Sequence, residues 1–300
     1  MKPLLSTFNF KNLILGISLC LIFVFLTSLF VNYIIANSSH RLSKIYSSQN
    51  INNSIFFVGN SRSVPFNSKN FNSNKKIFNL SQNSMNSFQV ENILKSLKEK
   101  NQNLKTIYIE ATSLIDYKVQ CQYSIFFDLK FFLEKDEIEK SCKRKRFFEK
   151  YIPITKINNE LFYRVLYYYF FPKKDQEWTN NYIMPKTVCL DPKDTPLIKY
   201  FFSLDSQIKI RNNSQKLLET YADDKTKIFF FISPIYQKEN SALKMEKKLL
   251  NSKFKNLVKF NTQLDQSFFK NCDMFSDTLH LSIKGINFIS KENFFSKMIN

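Results

Sequence analysis

Residues 56–66 read FFVGNSRSVPF, an apolar run that ends abruptly in a Gly-Asn-Ser-Arg turn. A continuous run bounded by turn residues, instead of strict alternation, is the mark of a strand covered on both faces. The chain has three glycines in 300 residues. Spending one of them, Gly59, directly after the run marks a backbone position that needs positive φ or close approach. Ser61 then falls just past the carboxyl end of the strand, where open parallel sheets place their ligand sites.

Three more runs of the same kind lie further along. With SIFFV (54–58) they are KIFNL (76–80), TIYIE (106–110) and KIFFFIS (227–233). Between the second and third, Val90, Ile93, Leu94 and Leu97 recur at helical spacing in SFQVENILKSLKEK, with charges on the opposite side. Strand, helix, strand in that order predicts parallel pairing through a crossover helix. A helix is expected from Ser241 to Leu250, a fifth strand at Leu257 to Phe260, and a closing helix from Ser282 onward. The expected architecture is α/β: a three-layer sandwich with a central, mainly parallel sheet of flavodoxin-like type. It carries an N-terminal transmembrane helix and an aromatic-rich insertion.

The anchor is read from Leu13 to Val31, a run without charge and of about the length that crosses a bilayer. A cleaved signal peptide is the competing reading, with small residues near Ala36 and Ser38. The run is longer than the usual signal core and favours an uncleaved anchor. Residues 1–36 are therefore a cytoplasmic tail and anchor, 37–53 a Ser- and Asn-rich linker, and 54–300 a domain on the extracytoplasmic side of the cytoplasmic membrane. Within it, about 117–225 is crowded with aromatics, as in LFYRVLYYYFFPKK, and reads as core beneath an insertion or as a surface facing substrate or membrane.

With 44 Lys and Arg against 25 Asp and Glu, the formal charge is +19. The lysines are scattered and no nucleic-acid recognition motif accompanies them, so a nucleic-acid partner is not expected. Attraction to acidic polymers or anionic headgroups fits better. Hydrophobic residues make up 44% of the chain, enough for a packed core, which excludes a disordered protein. Outside the anchor, which holds Cys20, the cysteines are Cys121, Cys142, Cys189 and Cys272. An even number in an oxidising compartment permits two disulfides in three pairings, with free buried thiols as the alternative. No cysteine or histidine spacing suggests a metal, and no cofactor is expected.

Histidine is scarcer still than glycine, with two in the chain. His40 lies beside the membrane, leaving His280 as the imidazole base available to the folded domain. Asp277 precedes it by three residues in SDTLHLSIKG. A carboxylate at that spacing can bond one ring nitrogen and hold the other toward a nucleophile, and Ser61 is the hydroxyl that needs such a base. Taken separately, Asp277 is also a capping residue beside a surface histidine, and Gly59 to Ser61 a polar turn.

Joined, VGNSRS and DTLHLSIKG resemble the first and last blocks of the SGNH (GDSL-like) hydrolase and acyltransferase superfamily, with Asn60 where that family has Asp. IFNLSQNSMNS is similar to the second block, with Ser84 at the position of the oxyanion glycine. IYIEATSLID lacks the third block's Asn, and Ser113 is the nearest polar candidate. The resemblance covers about 55–114 and 229–295. It implies Ser61 as nucleophile, His280 as base, Asp277 as orienter, and the amides of Ser61 and Ser84 as oxyanion donors.

Anchored relatives with degenerate middle blocks act on cell-envelope polymers, including the D-alanyl transfer protein of lipoteichoic acid synthesis and proteins of polysaccharide O-acetylation. The resemblance thus implies an O-acyl transferase or esterase acting on an envelope glycan, beside a membrane-bound O-acyltransferase partner. Arg62 would meet an acidic sugar or phosphate, or else be solvated. A non-catalytic protein of the same fold and a basic polyanion-binding protein are the alternatives.

Overall fold

The computed structural model describes residues 10–38, 54–66, 77–100, 106–116, 166–172, 196–236 and 240–291. Residues 39–53, Cys121, Cys142, Cys189, His40, Trp178 and most of the aromatic middle lie outside the described residues. Two compact units are formed.

One unit holds residues 10–38 and 166–172. Helix α1 runs Phe10–Asn37, and within it Asn12–Val31 is long and apolar enough to cross a membrane. At 1.5 Å per residue those 20 residues rise about 30 Å, the thickness of a bilayer core. Tyr169 meets Tyr33 edge-on, with ring centroids 6.3 Å apart. Tyr167, Phe170 and Phe171 are exposed, so these aromatics are not core beneath an insertion.

The other unit contains the sheet. Strands β1 (Ile55–Val58), β2 (Ile77–Asn79), β3 (Thr106–Glu110) and β4 (Lys227–Phe231) lie in the order β2-β1-β3-β4, all parallel. Side chains alternate between the faces. Ile55, Phe57, Tyr108 and Phe231 belong to one core with Phe66, Phe260, Phe268, Phe275, Ile286 and Ile289. That face is covered by α6 (Gln266–Lys270) and α7 (Ile283–Lys291). Phe56, Val58, Ile107, Ile109 and Phe230 point the other way and are equally buried. The helices preceding these last two are α2 (Ser87–Lys100), α3 (Pro196–Phe201), α4 (Leu204–Tyr221) and α5 (Ser241–Asn251). Helix α4 packs on α2 and β4.

Helix α2 forms where its apolar period places Val90, Ile93, Leu94 and Leu97 on one buried face. Helix α4 is less legible, because two of its five buried positions, Ser206 and Ser214, are polar and dilute the stripe. It lies within the stretch read as an aromatic-rich insertion. The expected fifth strand is a single parallel bridge, Phe230 to Leu257. Left-handed Lys253 and Asn256 lead into it, and the Phe260 amide turns back to the Val258 carbonyl at 2.9 Å, so pairing stops after one rung.

Strand order reverses direction between β1 and β3. The carboxyl ends of those strands flank a crevice at such a switch point, and it is there that open parallel sheets bind ligands. Ser61 follows β1, and the turn Ala111–Leu114 follows β3.

Candidate active site

Gly59 is held by proximity. A Cβ there would lie 2.7 Å from Glu110 Cβ and 2.8 Å from Ser63 Oγ, and φ is +157°. The end of β1 thus packs directly on the end of β3, and no side chain fits between them. Asn79, the last residue of β2, braces the turn that follows: its Nδ2 lies 2.7 to 3.0 Å from the carbonyls of Ser63, Val64 and Phe66. Asn60 accepts from the Arg62 amide at 3.1 Å and donates to Thr112 Oγ1 at 2.9 Å. The turn leaves Ser61 half-buried between buried neighbours.

The histidine arrives on a loop closed by backbone. Ser276 N–H donates to the His280 carbonyl at 2.9 Å, Phe275 and Leu281 form an antiparallel bridge, and Ser282 N–H donates to the Met274 carbonyl at 2.9 Å. Gly285 permits the last contact: a Cβ there would lie 2.1 Å from Met274 O. Asp277 caps the loop from inside, its Oδ1 accepting from the amides of Leu279 (2.7 Å) and His280 (2.9 Å).

The two segments meet. Ser61 Oγ lies 2.8 Å from His280 Nε2, and His280 Nδ1 lies 2.8 and 2.9 Å from the two Asp277 oxygens. A carboxylate can only accept, so Nδ1 carries the proton and Nε2 of the neutral ring accepts from the serine hydroxyl. Partial burial alone would raise the Asp277 pKa. The hydrogen bonds from the His280 ring and from the two amides outweigh it and hold the carboxyl below its ordinary range. An ionised carboxylate behind a neutral imidazole is the state a serine needs to lose its proton.

Of the other expected site residues, Ser84 has φ +58°, the left-handed region that favours glycine. A serine in that region carries some backbone strain. Among the described residues, no group accepts a hydrogen bond from the amide of Ser61 or of Ser84. Ser113 is buried and donates to the Glu110 carbonyl at 2.5 Å, so its hydroxyl is engaged away from the triad.

Arg62 departs from the expectation of an anion-binding or solvated arginine. It is 2% exposed and paired at 3.3 Å with Glu110, which is fully buried. Glu110, legible in the sequence as a structural or binding carboxylate without an assigned role, and Thr112 and Ser233, which sequence did not single out, all bond to Arg62. The available signal was opposite charge, a glutamate ending β3 and an arginine just past the end of β1, but the sequence pattern predicted that β3 pairs with β2, whereas both pair with β1. Among the described residues no cluster of His, Cys, Asp and Glu could hold a metal. Cys20 is a free thiol; Cys272 is disulfide-bonded, its partner lying outside the described residues.

No family model matches the chain, and no curated protein matches it. A solved structure from Streptococcus pneumonia, described as "a putative platelet activating factor", aligns over 91% of this chain and 98% of that one. Identity is 14% and the TM-score is 0.39, values too low to bear on chemistry.

Proposed function

We propose that the chain is a membrane-anchored serine esterase or O-acyltransferase of the SGNH type, acting on an acyl ester of a cell-envelope polysaccharide or related polymer. The observation that carries this reading is the unbroken series of contacts from Ser61 Oγ through the His280 ring to the Asp277 carboxylate. Its location at the carboxyl ends of a parallel sheet, at the switch point, supports it.

In this mechanism Ser61 Oγ attacks the acyl carbonyl as its proton passes to His280 Nε2. The oxyanion rests on the amides of Ser61 and Ser84. Collapse of the tetrahedral intermediate breaks the ester bond, and the departing alkoxide takes the proton from Nε2. An acceptor hydroxyl, from sugar or water, then gives its proton to His280 and attacks the acyl-serine. Collapse of this second intermediate releases the product and returns the proton to Ser61. Asp277 holds the ring and stabilises the imidazolium without taking its proton. Losing a third oxyanion donor costs about 2.7 to 4 kcal/mol; two amides remain, so the site is slowed but not silenced.

The apolar helix α1 and the bonded Cys272 support a domain outside the cytoplasmic membrane, where a disulfide persists. A membrane-bound O-acyltransferase passing acyl groups outward is the partner that suits such a site. One observation favours a second reading, a polymer-binding protein without catalysis: the hydroxyls of Thr112 and Ser113 are both bonded internally, so neither is placed to donate where the third block's Asn would.

The test is Ser61→Ala in an ester-hydrolysis or polymer O-acetylation assay with the full chain. Activity falling at least about 10³-fold is expected; activity equal to wild type rejects the enzymatic reading in favour of the binding one.

A further inference from the structure

Arg62 is bound at both ends. Its Nη1 lies 3.2 Å from Thr112 Oγ1 and 3.3 Å from Glu110 Oε1, Nη2 donates to the Ser233 carbonyl, and the Phe202 ring covers the guanidinium at 5.4 Å. In return Ser233 Oγ donates to the Arg62 carbonyl at 3.2 Å. Glu110 is saturated as well, accepting from Thr112 N, Thr112 Oγ1 and Ser233 N besides facing Arg62. The network joins the residues that follow β1, β3 and β4.

Stability does not explain it. A buried ion pair is often matched or bettered by apolar residues of similar volume. Burial disfavours the charged guanidinium, and the Glu110 and Asp277 carboxylates offset this only in part. Its Nε has no hydrogen-bond partner among the described residues, a further cost. Recognition of a substrate anion does not explain it either, since the charge is sealed from solvent. What remains is geometry.

The segment after β4 serves both halves of the triad. Ser233 grips Arg62, the residue after the nucleophile, while the Tyr236 amide donates at 3.0 Å to the carbonyl of Thr278, in the histidine loop. We infer that Arg62, clamped by Glu110, Thr112 and Ser233, is a positioning residue that fixes the Ser61 turn relative to the His280 loop. This rests on the hydrolase reading of Ser61. Loosening the clamp displaces Ser61 Oγ from His280 Nε2, and an error near 1 Å costs on the order of a hundredfold in rate.

The experiment measures the rate at which a biotinylated fluorophosphonate labels Ser61 in the full-length, detergent-solubilised chain, alongside its melting temperature. Two loosening variants are compared with wild type, Arg62→Met combined with Glu110→Leu, and Ser233→Ala, with Ser233→Thr as the rescue. The double variant removes both charges at similar volume, so it is expected to melt near wild type while labelling on the order of a hundredfold more slowly. Ser233→Ala is expected to label about tenfold more slowly, with Ser233→Thr restoring the rate. Labelling within about threefold of wild type in either variant, at unchanged melting temperature, overturns the inference. If the double variant does not fold, the Ser233 pair decides alone. A wild-type chain that takes no label at Ser61 overturns the hydrolase reading and the inference with it, an outcome distinct from variants that label like wild type.

Discussion

The Ser61 turn and the histidine loop lie within one hydrogen bond of each other, yet they are built in different ways. The turn around Ser61 is a lattice of buried polar side chains: Asn60, Arg62, Ser63, Asn79, Glu110, Thr112 and Ser233 all bond across strand ends. The loop from Phe275 to Leu281 is held by backbone hydrogen bonds and by the close approach of Gly285 to Met274. Asp277 is its main side-chain brace, and that carboxylate is 41% exposed against 0% for Glu110. The difference teaches that neutralising a single carboxylate should read out differently on the two sides: loss of fold in the turn, where a buried partner charge is left unpaired, and loss of chemistry without loss of fold in the loop.

The largest effect tests that contrast directly. Asp277→Asn keeps an oxygen for the amides of Leu279 and His280 but no longer fixes the ring tautomer. Turnover is expected to fall by about 10⁴-fold, the size of the corresponding loss in a Ser-His-Asp protease, with stability within about 1 kcal/mol of wild type. Glu110→Gln acts on the fold itself. It leaves Arg62 as an uncompensated buried charge, at a cost of about 3–5 kcal/mol in denaturant unfolding. If the two variants shift stability equally, the distinction between lattice and loop fails.

A smaller effect sharpens the account of the loop. Adding a methyl at Gly285 presses on the Met274 carbonyl, which cannot rotate away as a side chain would. Gly285→Ala is expected to cost about 1–3 kcal/mol, as overpacking does, and to reduce turnover by moving His280. A variant with unchanged unfolding midpoint and unchanged activity would show that the loop tolerates displacement.

The smallest effect concerns a surface pair away from both regions. Asp223 accepts from Lys98 and from the amides of Thr226 and Lys225, which lower its pKa from 3.8 to about 2. A depressed carboxyl contributes stability that is fully present above its unfolded pKa and is lost as pH falls through the folded value. The difference in melting temperature between wild type and Asp223→Asn is therefore expected to persist at neutral pH and to vanish between pH 3.8 and about 2. A difference that grows on acidification would contradict the assigned pairing.

Sequence revealed the strands through period and punctuation but not their order: the runs at 76–80 and 106–110, expected to pair through the crossover helix, both pair with β1 instead. The strand at Thr106–Glu110 and the helix at Ser87–Lys100 lie where their apolar patterns predicted. Helix α4 was hidden because Ser206 and Ser214 share its buried face with Ile210 and Leu217. The expected strand at Leu257 to Phe260 fails because a backbone turn, not the side-chain pattern, ends the pairing.

At the site, scarcity was the useful signal: few glycines and histidines pointed to Gly59, Gly285 and His280. The status of Arg62 was not legible, since its burial depends on Glu110 and Ser233, which only the fold brings near. Ser84 illustrates a third case. Its type departs from the glycine of the resembling block, while its backbone lies in the left-handed region that favours glycine.

Fluorophosphonate labelling of the full-length chain, compared between wild type and His280→Gln, tests most directly whether the imidazole activates the serine. The account predicts covalent modification at Ser61 in wild type and a rate at least about 10²-fold lower in the variant. Equal labelling of the two proteins, or modification at any residue other than Ser61, would contradict it.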